Sequence, residues 1–311
     1  MIVRSAGRGY LLVLGAVAAW STSGLFIRWT VASGGLSALS LAFWRDLTTA
    51  VSLILGLALF KREWLRVKRR DLPWLAGLGI VGVGTFHVLW NLTILHIGYA
   101  AATVLICSAP VFVTVMAWLI WREPLTWFKI VAIVMGLTGS VLVAGLEKLA
   151  GTDLTAGGLI LGLSAALAYS SFSLFGRRMT GHYSPWTILT YGFAFASLTL
   201  LPFQFSIEQP WPVPAETWLW FAGLVYVATV APFGAYLTGL THLPVSVASI
   251  LTASEVVFAA LIGFVVFGEQ LQGWQSVGAA LVVGGVVLLA TTANRSTPPA
   301  LQDSLRSQIT K

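Results

Sequence analysis

Trp74-Leu75-Ala76-Gly77-Leu78 returns 146 residues later as Trp220-Phe221-Ala222-Gly223-Leu224, and the correspondence runs on without a gap. The same offset lays His96 on His242, Ala102 on Ala248, Leu105 on Leu251, Ser108 on Ser254, Phe112 on Phe258, Glu123 on Glu269, Gly139 on Gly285 and Ala144 on Ala290. An offset of 149 lays Trp20-Ser21 on Tyr169-Ser170 and Leu25-Phe26-x-Arg28 on Leu174-Phe175-x-Arg177. Leu and Ala coincide by chance in apolar sequence, but ungapped Trp, His and Glu do not. The chain is read as two copies of one unit, residues 1–148 and 149–293, followed by a polar tail, 294–311, expected to be disordered and cytoplasmic.

The unit cannot be a water-soluble domain. Of 311 residues, 57% are hydrophobic and 9% charged, with mean hydropathy +0.86. Soluble domains carry about 25% charged residues, and disordered chains are polar and poor in aromatics, whereas this one has 14 Trp and 17 Phe. A lipid bilayer is the remaining solvent. Apolar windows of about 20 residues, enough to cross the hydrocarbon, fall at Gly9–Ile27, Leu36–Phe60, Leu72–Leu92, Tyr99–Ile120, Leu125–Leu146, Ala156–Phe175, Pro185–Phe203, Thr217–Tyr236, Ser246–Phe267 and Gly273–Ala290. The expected fold is all-α and integral to the membrane: ten spans as two five-span repeats. Because five is odd, the second repeat enters the membrane in the opposite sense. Inverted repeats of this kind are the usual architecture of secondary transporters.

Net charge +7 does not point to nucleic acid, because the bases sit in short connections. With the N-terminus inside, 15 of the 18 bases fall on one side, six of them between Lys61 and Arg70. That excess places both termini in the cytoplasm of a multi-pass inner-membrane or plasma-membrane protein. Cys107 is the sole cysteine, so no intramolecular disulfide forms. The first apolar window runs past Ala16-Val17-Ala18 and is read as a retained span, not a signal peptide. Gly77-x-Gly79-x-x-Gly82 satisfies a dinucleotide fingerprint but lacks the preceding soluble strand; its glycines are read as helix packing. No Gly-Lys dipeptide occurs, so there is no Walker A loop, and neither a metal-ligand spacing nor a cofactor motif is present.

Ionisable groups inside a span cost about 2.5–3.5 kcal/mol on insertion scales and mark functional sites. Arg45 suits a substrate carboxylate through its planar fork. Its neighbour Asp46 is not expected to pair with it, since adjacent helical residues point about 100° apart. Glu255, near mid-membrane, is a candidate for proton coupling or for a substrate ammonium; its repeat counterpart is Ala109. The alternative for Glu255 is capping a broken helix or pairing with Arg45. His87 and Asn91 share one helical face at i, i+4 and suit either a polar cavity wall or interhelical hydrogen bonding. Trp20 and Tyr169, repeat-equivalent and mid-span, are expected to line the cavity. His96 and His242 fall at turns. Glu123 and Glu269 sit at span ends, where each is expected to cap the next helix, and Pro110, Pro232 and Pro244 mark kinks.

The runs Ala101-Ala102-Thr103-Val104, Ala109-Pro110-Val111-Phe112 and Trp121-Arg122-Glu123-Pro124-Leu125-Thr126 have second copies at Ala248-Ser249, Ser254-Glu255-Val256-Val257-Phe258 and Phe267-Gly268-Glu269-Gln270-Leu271. Together with ten spans as two repeats, they resemble the EamA branch of the drug/metabolite transporter superfamily over residues 9–290. The chain departs from that pattern at Val256, where the family often has proline. The resemblance implies a basket-like bundle with a central cavity that exports small metabolites, most often aromatic or neutral amino acids. Other branches move sugars, vitamins or drugs, and these stay open as alternatives. A membrane-embedded lipid enzyme would need a convergent nucleophile, base or metal set that the sequence lacks. The expectation is a non-enzymatic transporter whose partners are a small-molecule substrate and the lipid bilayer.

Overall fold

The computed structural model describes residues 2–145, 155–207, 213–268 and 272–293. Ten helices in it are long and apolar enough to cross a membrane: α1 Ala6–Gly34, α2 Ala38–Phe60, α3 Arg69–Tyr99, α4 Ala101–Trp121, α5 Trp127–Ala144, α6 Ala156–Thr180, α7 Pro185–Gln204, α8 Ala215–Gly239, α9 Val245–Val266 and α10 Gly273–Thr292. No strand occurs among the described residues. Each expected apolar window coincides with one helix, and the main difference is length, since α1 runs on to Gly34 and α3 to Tyr99. This outcome follows from the solvent: hydrocarbon offers backbone N–H and C=O groups no partner, so each span satisfies its own as helix.

Helix ends are handled locally. Side-chain oxygens of Ser37, Thr126, Thr155 and Ser184 accept from amides three residues on, supplying N-caps to α2, α5, α6 and α7. In place of the turn expected between the third and fourth spans, the chain kinks at one non-helical residue inside the bounds of α3, Gly98 at φ 76°, where any side chain would be strained. His96 lies two residues before it and donates back to the Leu92 carbonyl at 2.9 Å.

The helices pack in pairs: α5 on α10, α2 on α7, α4 on α9, α1 on α8 and α9, and α6 on α3 and α4. Glycine sets the closest approaches. A Cβ on Gly139 would lie 2.6 Å from the Gly278 carbonyl, and one on Gly278 would lie 2.7 Å from the Gly139 carbonyl, so α5 and α10 touch backbone to backbone. The Gly77-x-Gly79-x-x-Gly82 run packs similarly, against Phe175, Gly192 and Phe172.

Irregularities fall at corresponding places in the two halves. The π-helical stretches Ile80–Thr85 and Gly223–Val230 interrupt α3 and α8. Spans α4 and α9 are each broken mid-way, at Cys107–Ser108 and at Thr252–Ser254. Arg122 (φ 54°) and Gly268 (φ 66°) end these spans in the left-handed region.

Contacts between loops sort the connections into two faces. On one, Thr187 Oγ1 donates to the Trp64 carbonyl at 2.9 Å, Tyr191 Oη to the Leu65 carbonyl at 2.7 Å, and Tyr183 Oη to Asp71 at 2.7 Å. On the other, Thr217 reaches Ser33 at 2.9 Å and Gln275 Nε2 the Val143 carbonyl at 3.1 Å. Alternate crossings put Lys61–Arg70, Arg122, Arg177 and Arg178 together on the first face.

Gly139→Ala forces a methyl into the Gly278 backbone and is expected to cost about 1–3 kcal/mol, read as a lowered Tm in detergent. Gly157→Ala, with open space around it, leaves Tm unchanged or raised.

Candidate functional site

The first polar centre joins α2 to α3. Asp46 is fully buried, and the Arg45 and His87 side chains are 13% and 10% exposed. Arg45 Nε donates to Asp46 Oδ1 at 3.2 Å, and Asp46 Oδ2 lies 3.1 Å from His87 Nδ1. Arg45 Nη2 contacts the other ring nitrogen, Nε2, of the same histidine. Since the guanidinium can only donate, Nε2 accepts, and the proton sits on Nδ1 facing the carboxylate. The three side chains thus close a ring carrying one positive and one negative charge.

This corrects the expectation that Arg45 and Asp46 do not pair. Their Cβ vectors diverge, but the arginine side chain is long enough to curl back while His87, from the neighbouring helix, receives both residues. Arg45 Nη1 has no protein partner among the described residues. Asn91, one turn beyond His87, donates Nδ2 to the His87 carbonyl at 2.8 Å. That bond folds back onto the carbonyl one turn earlier in its own helix and joins no other helix.

The second centre is Glu255. Span α9 is α-helical from Val245 to Leu251, tightens to a 3-10 turn over Thr252–Ser254, and resumes at Glu255. Glu255 therefore stands on the first turn of a half-helix, where free amides and the helix dipole favour negative charge. Its carboxylate has no hydrogen-bond or ion-pair partner among the described residues, and the residue is only half-buried. It does not pair with Arg45. Tyr99, Cys107 and Tyr169 stand within electrostatic reach of it, and its backbone carbonyl accepts from Ser21 Oγ at 3.1 Å.

Aromatic rings lie between the two centres. Tyr169 packs on Phe86 with centroids 5.0 Å apart, and Phe86 neighbours His87 and Trp90 at 5.4 and 6.2 Å. Trp20 lies deeper, 4.8 Å from Phe233 and 5.2 Å from Tyr236, and its buried Nε1 has no acceptor among the described residues. Tyr236 is held by Ser173 at 2.8 Å. Of the residues singled out from sequence, Arg45 and His87 meet directly, Tyr169 stands between that pair and Glu255, and Trp20 belongs to the adjoining aromatic core. Sequence reading missed Asp46 as a partner, and missed Phe86, Tyr99 and Cys107 altogether. Only Cys107 carried a usable signal, as the sole cysteine in an otherwise apolar half-span.

Two family-model matches cover residues 7–145 and 156–291, both to the EamA-like transporter family. An uncharacterized transporter of Archaeoglobus fulgidus is 31% identical over 61% of this chain and 66% of its own length. An uncharacterized inner membrane transporter, YicL, of Salmonella typhimurium is 24% identical over 94% of this chain and 98% of its own. A probable terminal-alkyne amino-acid exporter of Streptantibioticus cattleyicolor is 26% identical over 90% and 92%. A crystal structure with TM-score 0.80 and 21% identity covers 94% of this chain and 99% of that one, which extends the likeness of fold to nearly the whole length.

Cutting the buried ring on one side leaves an uncompensated charge. Asp46→Ala is expected to cost about 3–5 kcal/mol, and Arg45→Met with Asp46→Leu to cost less than either single change, both read as Tm in detergent. A double variant less stable than both singles contradicts the ring's electrostatic closure.

Proposed function

The chain belongs to the EamA-like transporter family, and from that premise we propose that it exports small neutral or aromatic amino acids by alternating access, with Glu255 receiving the substrate ammonium. The observation that carries this reading is the Glu255 carboxylate, held at the start of a half-helix in mid-span and left without a partner among the described residues. A carboxylate in a span costs several kcal/mol unless water or a counter-charge meets it, and a zwitterionic substrate brings that counter-charge.

Arg45, with Nη1 uncommitted, is the complementary anchor for the substrate carboxylate. His87 and Asp46 hold its guanidinium in place, so little side-chain entropy is lost when the substrate arrives. Phe86, Tyr169 and Trp90 provide the apolar surface that a neutral or aromatic side chain requires. The amino-acid exporter among the relatives supports the same substrate class.

Alternating access rests on the repeat. The helix pairings map onto themselves when α1–α5 are exchanged with α6–α10: α5 with α10, α2 with α7, α4 with α9, and α1 on α8 matched by α6 on α3. The paired π stretches, mid-span breaks and left-handed ends follow the same exchange. In this reading residues 1–148 and 149–293 are the two inverted units, and the basic face carrying Lys61–Arg70 is cytoplasmic, with both termini on that side.

The test is efflux from proteoliposomes loaded with a panel of neutral amino acids, sugars and cations. Glu255→Gln is expected to lower amino-acid efflux at least about tenfold and to abolish its response to an imposed pH gradient, with Tm unchanged. Wild-type efflux and an unchanged pH response in this variant contradict the assignment, and efflux of sugars in place of amino acids overturns the substrate class.

A further inference from the structure

The expectation for Glu123 was a cap on the helix that follows it. The structure places its carboxylate elsewhere. Span α5 is capped by its own Thr126, and Glu123 reaches across to the opposite half. Its Oε1 accepts from the Val245 amide at 3.0 Å, and Oε2 accepts from the Ser246 amide at 3.4 Å and from the Ser246 hydroxyl. Pro244, which precedes α9, supplies no side-chain cap, so the first amides of α9 depend on a residue at the end of α4.

Three further observations set this contact apart from ordinary capping. Arg122, the residue before Glu123, is at φ 54°, the one positive φ at a non-glycine among the described residues. A strained backbone of this kind persists only where its surroundings impose it, and here it turns the chain toward α9. Glu123 also has a second partner within its own half: Lys129 Nζ of α5 lies 3.6 Å from Oε2, with both side chains nearly buried. Finally, Glu123 lines a cavity of about 490 Å³ on the Lys61–Arg70 face, together with Trp121, Arg177 and His242.

We propose that Glu123 is the releasable clasp that closes the substrate path on the Lys61–Arg70 face. When the clasp is made, the ends of α4 and α9 are joined and the cavity stops at the joint. When α9 swings away, Lys129 keeps the carboxylate paired, so release does not strand a charge. The clasp governs Glu255 through α9 itself, because the seven buried residues Val245–Leu251 lead through the mid-span turn to that carboxylate. Glu123 is thus a positioning residue that never touches the substrate.

This inference rests on the transport reading, but its test needs no substrate, so the two can fail separately. Cys107, the sole cysteine, lies mid-span beside Glu255 and reports access to the interior. The full-length protein in sealed vesicles of either orientation is labelled with a membrane-impermeant methanethiosulfonate. Glu123→Gln is expected to speed Cys107 labelling several-fold from the Lys61–Arg70 face and to slow it, or leave it unchanged, from the other. Ser246→Ala, which removes one of the three donors, shifts labelling the same way by less. Lys129→Gln, which removes the partner needed in the released state, shifts it the opposite way. Equal acceleration from both faces, parallel shifts for Glu123→Gln and Lys129→Gln, or no change in any variant overturns the clasp.

Discussion

Hydrocarbon cannot solvate a polar group, and nearly every feature of this protein answers to that constraint. It makes each span a helix, because only a helix satisfies its own backbone. It confines charge to the connections, and it shifts the driving force of packing from hydrophobicity to close contact, since lipid tails are as apolar as leucine. The glycine approaches follow directly. Gly139 against Gly278, and Gly79 against Gly192, bring backbones together where any side chain would hold them apart.

Against that background the exceptions acquire meaning. A helix interrupted at membrane depth exposes amides and carbonyls that something must meet, so breaks are tolerated only inside protein or against a water-filled space. The half-helices Ala109–Trp121 after the break in α4 and Val245–Leu251 before the break in α9 pack on each other, and Glu255 starts the half-helix after the second break. The buried ring of Arg45, Asp46 and His87 shows the opposite solution. There three polar side chains satisfy one another, and each would be expensive alone. The first centre meets most of its own polar demand, whereas the Glu255 carboxylate has no partner among the described residues.

The span count, the repeat and the positions of the intramembrane charges were legible because each depends on composition or spacing along one chain. Trp74 and Trp220 mark corresponding points whatever the helices do in space. What could not be read were contacts made by flexible reach or across halves. Arg45 and Asp46 are neighbours whose pairing depends on a long side chain bending toward His87, 42 residues on. Glu123 looks in sequence like a cap for α5, yet Thr126 has already taken that role and the carboxylate spans 122 residues to Val245. Phe86 and Tyr99 give no signal of their own, since one aromatic among many is set apart only by its neighbours, and Cys107 stands out in sequence only as the sole cysteine.

By itself, then, the sequence determined that this is a membrane protein of ten helices whose sequence pattern recurs along the chain. Hydropathy over twenty residues and recurrence over 146 are one-dimensional quantities. Tertiary structure decided which charges are spent and which are not. Whether a buried carboxylate is paired depends on which helices pack together and on a few ångströms of side-chain reach. That packing pairs Asp46 with Arg45 and His87, pairs Glu123 with the start of α9, and leaves the Glu255 carboxylate without a partner among the described residues.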